Sequence, residues 1–580
     1  MNPNEASLAV DLHNPHCAWA MSCDAARRED AVTVWVRGQA WHEDAYLTAQ
    51  EMADKLRALW QSPTGLTAPG LRRILAALNG DFAVVIRAGG EVIAAVDRLR
   101  SIPLFYGLSR QRFLLSDDAW RVRSFVGDRE LDPDTATEFL LTGCVTGSDT
   151  LYRNLKQIRS GEMIRVEDVG TIRITRERYY RYFHLDSREE PEEELRRAMG
   201  EMFERVFDRF CRSLRGKRIV VPLSGGFDSR MIVTALKQAG MRDVVCFSYG
   251  APGNRESALS REVARRLGFE WHFVPYSRRR WRAWFNSRDG LAYRRYAEGA
   301  CSLAHLQDWP AVRELLAAGV LARGDEIAPG HSPIGQHIPS NWATMGSITD
   351  VVDGILDFHY ALWKWAPGVN GLRDLLESRL LASLEVDAVR GPIEAGSASE
   401  LWEVEERQSK FIVNSVRAYE FLGCGWRLPL CDNDVWGFDA TLPLRFRAGR
   451  ALYQAYLQNV LFPKLGVGDV PMNKPPSANL IPREKLPKPL LGLCRDLRRV
   501  WTLAPDTRRG SFTVADRLKA WLCYLRRFGN GGRSIERLFE VNTLAGAHTL
   551  RELNDHATGP GLGRSRENQP SHTAVARSSA

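Results

Sequence analysis

The sequence predicts an α/β protein with two unequal globular parts and a polar tail. Three observations carry that expectation. The chain has 580 residues, more than one hydrophobic core holds. Its amino-terminal third is built from short β-branched runs: Ala31 to Arg37 (AVTVWVR), Phe82 to Arg87 (FAVVIR) and Val92 to Val96 (VIAAV). From Pro191 strands and helices alternate, the pattern of a parallel, doubly wound sheet.

In the first part, Gly89-Gly90 sits between two of the strand runs as a tight hairpin. Further strand-like pieces lie at Arg112 to Ser116, Glu162 to Val166 and Thr171 to Thr175, and helical spacing at Ala49 to Trp60 and Leu71 to Leu78. The second part opens on PEEELRRAMGEMFERVFDRFCRSLR, an amphipathic helix whose first turn carries the acids a helix dipole favours. A strand at Arg218 to Leu223, a helix to about Gln238, a strand at Asp243 to Ser248, a helix at Glu256 to Leu267 and a strand at Trp271 to Val274 follow. The remainder to Leu553 reads as mostly helical and tryptophan-rich, and the polar stretch from Asn554 as unstructured.

Composition narrows the function classes. With 44% hydrophobic and 26% charged residues, the chain has the make-up of an ordinary soluble protein. The net charge of +9 is spread among 70 acidic residues without a basic run, which argues against a nucleic-acid binder. Ten cysteines occur with no CxxC pair, so they read as free thiols of a reducing compartment. The start lacks a basic, then apolar, leader, and no stretch of about 18 apolar residues occurs; the expectation is a cytoplasmic protein without membrane insertion.

The chemistry-bearing segment is RIVVPLSGGFDSRMIVTALKQAG at 218–240. An apolar strand runs into Ser224, Gly225 and Gly226 and then directly into a helix. Two glycines let the backbone approach a phosphate, and the amides at the helix start face the anion. Ser224 and Ser229 add hydroxyls. Asp228 beside phosphates calls for a cation between them, and Mg²⁺ suits carboxylate and phosphate oxygens. No GK[ST] follows, so this is not a Walker loop.

SGGFDS resembles the pyrophosphate loop, SGGxDS, of the ATP pyrophosphatase superfamily, which includes asparagine synthetase, β-lactam synthetase and lasso-peptide cyclases. Other stretches resemble the asparagine-synthetase branch in order along the chain. They are LNGDFAVVI at 78–86, AVDRLRSIPLFY at 95–106 (family ARDRLGIKPLYY), LYRNLKQIRSGEMIRV at 151–166, WRLPLCD at 426–432 and LPLRFRAGRALYQAYL at 442–457. The resemblance implies an αββα amidotransferase-like sandwich over 1–185. A parallel-sheet ATP pyrophosphatase domain with a helical half then covers 190–553, with a disordered tail at 554–580.

It also implies an ATP- and Mg²⁺-dependent ligase that adenylates a carboxylate, releases pyrophosphate and passes the acyl group to an amine or ammonia. Ser224, Gly225, Gly226, Asp228, Ser229, Ser248 and Gly330 would contact ATP. For the second metal-binding Asp two alignments compete: Asp325 in GDEI at 324–327, or PGHSPIGQHIP at 329–339, where Pro333 stands near its place. The Glu that opens the family's EVRVPFLD is matched by Gly425, with Glu420 as a substitute catalytic carboxylate, and Lys474 is the candidate catalytic lysine. His331 and His337 read as loop histidines rather than metal ligands.

The ammonia-generating half departs from the family pattern. Asn2 stands where the nucleophilic Cys follows Met1, Cys17 lies too far in, and Asn79 matches the Asp of the LDG motif. The expectation is a domain without glutaminase activity. Partners would be a small-molecule, glycan or peptide carboxylate and an amine donor, and a homodimer is admitted. Two alternatives stay open: a glutamine-hydrolysing asparagine synthetase, and an inactive nucleotide-binding scaffold.

Overall fold

Two β-sheets stack in the amino-terminal domain. One has the order β1 (Leu8–Asp11), β8 (Arg112–Ser116), β7 (Phe105–Ser109), β9 (Leu155–Gln157), with β1 parallel to β8 and the others antiparallel. The other is antiparallel: β11 (Ile172–Arg178), β10 (Glu162–Asp168), β6 (Glu91–Val96), β5 (Asn79–Ala88), β3 (Thr33–His42), β2 (Ala20–Cys23), with β4 (Ala45–Thr48) on β3. The structure is a computed structural model describing residues 7–23, 32–62, 66–214, 216–332, 338–339, 341–363, 365, 371–473, 512, 515–520 and 541–558.

Strand β5 shows why the sandwich forms. Its side chains alternate: Ala83 and Val85 face the first sheet, whereas Phe82, Val84 and Ile86 face α1 (Ala49–Trp60) and α2 (Ala68–Ala77). Both faces are buried, so the run is continuously apolar. The β5–β6 hairpin closes through Gly89, whose φ of 54° suits glycine. Helix α3 (Ala119–Val126) covers the outer face of the four-stranded sheet, with Val122 beneath it, which completes an α/β/β/α layering.

After α4 (Pro133–Thr142) and the junction, α5 (Glu192–Leu214) leads into a second, wholly parallel sheet of order β14 (Glu270–Pro275), β13 (Val244–Gly250), β12 (Ile219–Pro222), β15 (Glu326–Ile327), β16 (Gly425–Trp426). Ile219 and Val221 point into one core with α5 and α6 (Phe227–Gln238), and Val220 points into the other. The chain builds outward from β12 to β14, then returns to add β15 on the opposite side of β12. The carboxyl end of β12 is therefore a topological switch point, where open α/β sheets hold ligands.

The expected α/β architecture is found, with one correction at its end. The helix Val541–Thr558 runs through Asn554, where order was expected to stop, because Leu544, Leu550 and Leu553 bury a face of it. Residues 559–580 lie outside the described residues. No described helix is long and apolar enough to cross a membrane.

Candidate nucleotide-binding site

The SGG turn delivers α6 to the sheet edge without a side-chain cap. Gly226 is its N-cap, and among the described residues no side chain caps the first turn. The amides of that turn have no intrahelical partner and carry the positive end of the helix dipole, so the geometry suits an anion. The two serines brace the turn. Ser224 N donates to Ser229 Oγ at 2.9 Å, the two hydroxyls lie 2.9 Å apart, and Gly226 N donates to Ser224 Oγ at 3.1 Å.

Three further elements press on this turn. After β15 the chain crosses the start of α6 at Gly330, where a Cβ would stand 2.7 Å from Ser229 N. Asn473 N donates to Gly225 O at 3.0 Å, and Gly225 N donates to Glu256 Oε1 at 3.3 Å. Arg230, one residue past the motif, is buried and donates to Val470 O at 2.7 Å and Pro471 O at 2.9 Å. Burial pulls its guanidinium down to about 10. Its work is to hold 470–473 against the loop. Ser248, buried near the end of β13, lies at the same sheet edge, since Leu223 N bonds the carbonyl of its neighbour Phe247. Ser224, Gly225, Gly226, Ser229, Ser248 and Gly330 thus gather at one place.

Asp228 is at this place too, but its carboxylate is engaged. Arg450 donates to it through both Nη atoms, Nη1 at 3.2 Å, and Tyr453 OH donates at 3.0 Å. Arg450 has a left-handed backbone, with φ 62°. Sequence reasoning missed this partner, because 222 residues separate it from Asp228 and the resemblance at 442–457 assigns Arg450 no role.

Two of the candidates, Asp325 and Glu420, lie away from the loop. Asp325 lies at the opposite, amino-terminal edge of the sheet: its neighbour Glu326 pairs with Ile219, the first residue of β12. Its carboxylate accepts from Arg218 Nη2 at 2.6 Å and Ala322 N at 2.8 Å. It cannot join Asp228 on one ion. The stretch beginning at Pro329 meets the loop at Gly330; Pro333 and His337 lie outside the described residues. Glu420 is buried away from the loop, against the amino-terminal domain. It accepts from Arg37 Nη2 at 2.5 Å, Arg417 Nη1 and Tyr296 OH at 2.7 Å, and Trp426 Nε1 at 2.8 Å. Burial opposes its charge, yet the two arginines prevail and hold its pKa below the usual range. A carboxylate so paired is a poor base. Gly425 is glycine because the Glu326 carboxylate already fills its side: a Cβ there would meet Glu326 Oε2 at 2.4 Å. Lys474 lies outside the described residues.

The fit to a resident Mg²⁺ is poor. Asp228 is spent on Arg450 and Tyr453, Asp325 is at the wrong edge, and among the described residues no cluster of three or more His, Cys, Asp or Glu could hold a metal. His331 Nε2 pairs with Ser415 Oγ at 2.5 Å, and burial drives its pKa down to about 3, as befits a loop histidine. The donor set of the loop suits an anion.

In the amino-terminal domain, Asn79 Oδ1 accepts from Asn433 N at 2.9 Å, and Asn433 Nδ2 donates to Leu78 O at 3.0 Å. Asn79 therefore clasps the two domains. Cys17 lies 3.4 Å from Tyr296 OH, and burial, aided by Glu420, pushes its thiol up to about 12. It is no nucleophile at neutral pH.

A family model described as a glutamine amidotransferase domain matches residues 66–180, and one described as asparagine synthase matches residues 212–283. The chain is asparagine synthetase-like. A probable glutamine-hydrolysing asparagine synthetase of Acanthamoeba polyphaga mimivirus is 26% identical over 215 residues, 36% of this chain. The match spans 37% of the length of that curated relative. Among solved structures, the glutamine phosphoribosylpyrophosphate amidotransferase from B. subtilis is 13% identical and covers 54% of this asparagine synthetase-like chain and 65% of its own, at a TM-score of 0.21. The NH3-dependent NAD synthetase from Campylobacter jejuni is 14% identical and covers 25% of this chain and 58% of its own, at 0.17.

Proposed function

We propose that this chain binds ATP at the SGG turn and acts as an amide-forming ligase, adenylating a carboxylate with release of pyrophosphate. The observation that supports it is the uncapped start of α6 at the switch point of a parallel sheet, wrapped by Gly330 and Asn473. There the chain's own groups do three things. The first-turn amides of α6 take the charge of the departing pyrophosphate, the serines fix the turn, and Arg450 stands beside Asp228 as a cation able to swing to a phosphate. The acyl group then passes to an amine supplied from outside, since Cys17 and Asn79 are both engaged structurally.

Incubation with ATP, Mg²⁺ and pools of carboxylates tests this reading. It expects AMP and pyrophosphate in amounts that depend on one carboxylate, and about tenfold less or lower still from Gly330→Ala at subsaturating ATP. Release of ADP and phosphate instead would overturn it.

One observation favours a second reading, a nucleotide-binding scaffold: Asp228 and Glu420 are both paired to arginines. Tight ATP binding with no cleavage for any carboxylate would be its signature.

A further inference from the structure

The strongest feature outside the nucleotide site is a cavity of about 240 Å³ between the two domains, walled by Pro103, Phe105 and Trp120. Arg100 reaches into it from a strained backbone, with φ 50°. An L-residue is held in that conformation only where its surroundings impose it. The residue is 4% exposed. Nε donates to Ile158 O at 3.1 Å, and Nη2 lies 3.7 Å from Cys301 Sγ. Among the described residues Nη1 has no hydrogen-bond partner, and no carboxylate lies within ion-pair distance of this guanidinium. A buried charge without a counter-ion is costly unless something supplies one.

The acids that line the cavity do not supply it. Asp117 accepts from Trp19 Nε1 at 2.7 Å, Asp118 caps α3, and Glu298 accepts from Thr549 Oγ1 at 3.1 Å. Burial raises Asp117 and Glu298 toward their neutral forms. At the mouth, Arg295 is exposed, lies 5.4 Å over the Trp120 ring, and has no ion-pair partner among the described residues.

We propose that this cavity binds a small organic carboxylate, its anionic end on Arg100 and its apolar body between Phe105 and Trp120. One free nitrogen inside and one guanidinium at the rim suit a monoanion. The other cations of the lining are already paired, Arg37 and Arg417 with Glu420 and Lys410 with Glu406, so a dianionic phosphate would lack donors. The proposal is independent of the ligase reading, because the cavity lies apart from the SGG turn.

The test uses the full chain, with benzoate and phenylacetate as carboxylate probes, benzamide as the neutral counterpart of benzoate, and inorganic phosphate. Thermal shift and calorimetry should show a concentration-dependent rise in Tm with a carboxylate and binding at least tenfold weaker for benzamide. Arg100→Gly relieves the strained φ, so the variant should fold as well as the parent yet lose the response. Arg295→Met should fold and bind severalfold more weakly. Asp228→Ala should respond like the parent, which separates this site from an acceptor site beside ATP. Equal binding of benzamide, a response retained in Arg100→Gly, a response to phosphate alone, or none to either carboxylate would each overturn the assignment.

Discussion

Asp228 and Arg450 form a half-buried pair, with side-chain exposures of 17% and 14%. Removing one partner strands the other. Asp228→Asn is therefore expected to cost about 3 kcal/mol, the low end for breaking such a pair, read as a fall in Tm. The double variant with Arg450→Met should recover much of that loss if the pair is structural. Glu420 makes a pH prediction. Its folded pKa lies below its usual 4.5, so the stability it contributes is present above pH 4.5 and is lost as pH falls through the folded value. The Tm gap between the parent and Glu420→Gln should be largest near neutrality and shrink below pH 4.5. Gly330→Ala drives a Cβ to 2.7 Å of a backbone nitrogen, which cannot yield as a side-chain tip can. Nucleotide affinity should fall by about tenfold or more, about 1.4 kcal/mol by calorimetry.

At the scale of elements, the long strands and the SGG loop were legible because their signals are local. β5 and β6 carry unbroken apolar runs around Gly89-Gly90, and the phosphate turn lies between an apolar strand and a helix. The two-residue strands β15 and β16 carry no period and were invisible. With them went the knowledge of which sheet edge Asp325 occupies, and that Glu326 takes up the space beside Gly425. Lys217 Nζ at 2.6 Å and Arg427 Nη2 at 3.4 Å hold that carboxylate in place. Gly425→Ala is expected to cost about 2 kcal/mol as an overpacked contact, measured by thermal unfolding. The helix Val541–Thr558 docks on Glu298, whose pKa is pushed up to about 8 by burial, with Glu552 adding to it. The folded protein then holds a proton that the unfolded chain gives up, so stability falls as pH rises from 4.5 toward 8. Hydrogen exchange in this helix should quicken over that window, and Glu298→Gln should flatten the dependence.

Across the whole molecule, the residues singled out in the sequence divide between two jobs. The loop residues meet at the switch point, whereas Glu420 and Asn79 join the domains: Glu420 to Arg37 of β3, Asn79 to Asn433. Contacts of this kind lie more than 300 residues apart in the chain, 383 for Arg37 with Glu420, and no motif announces them. These contacts tie the amino-terminal domain to the carboxy-terminal half.

The central claim is that the SGG turn supports reversible adenylation of a carboxylate. Exchange of radiolabelled pyrophosphate into ATP measures that step without needing the amine. The account expects exchange that depends on a carboxylate and falls about tenfold or more in Gly330→Ala at subsaturating ATP. Exchange absent with every carboxylate while ATP still binds, or exchange unchanged in that variant, would contradict it.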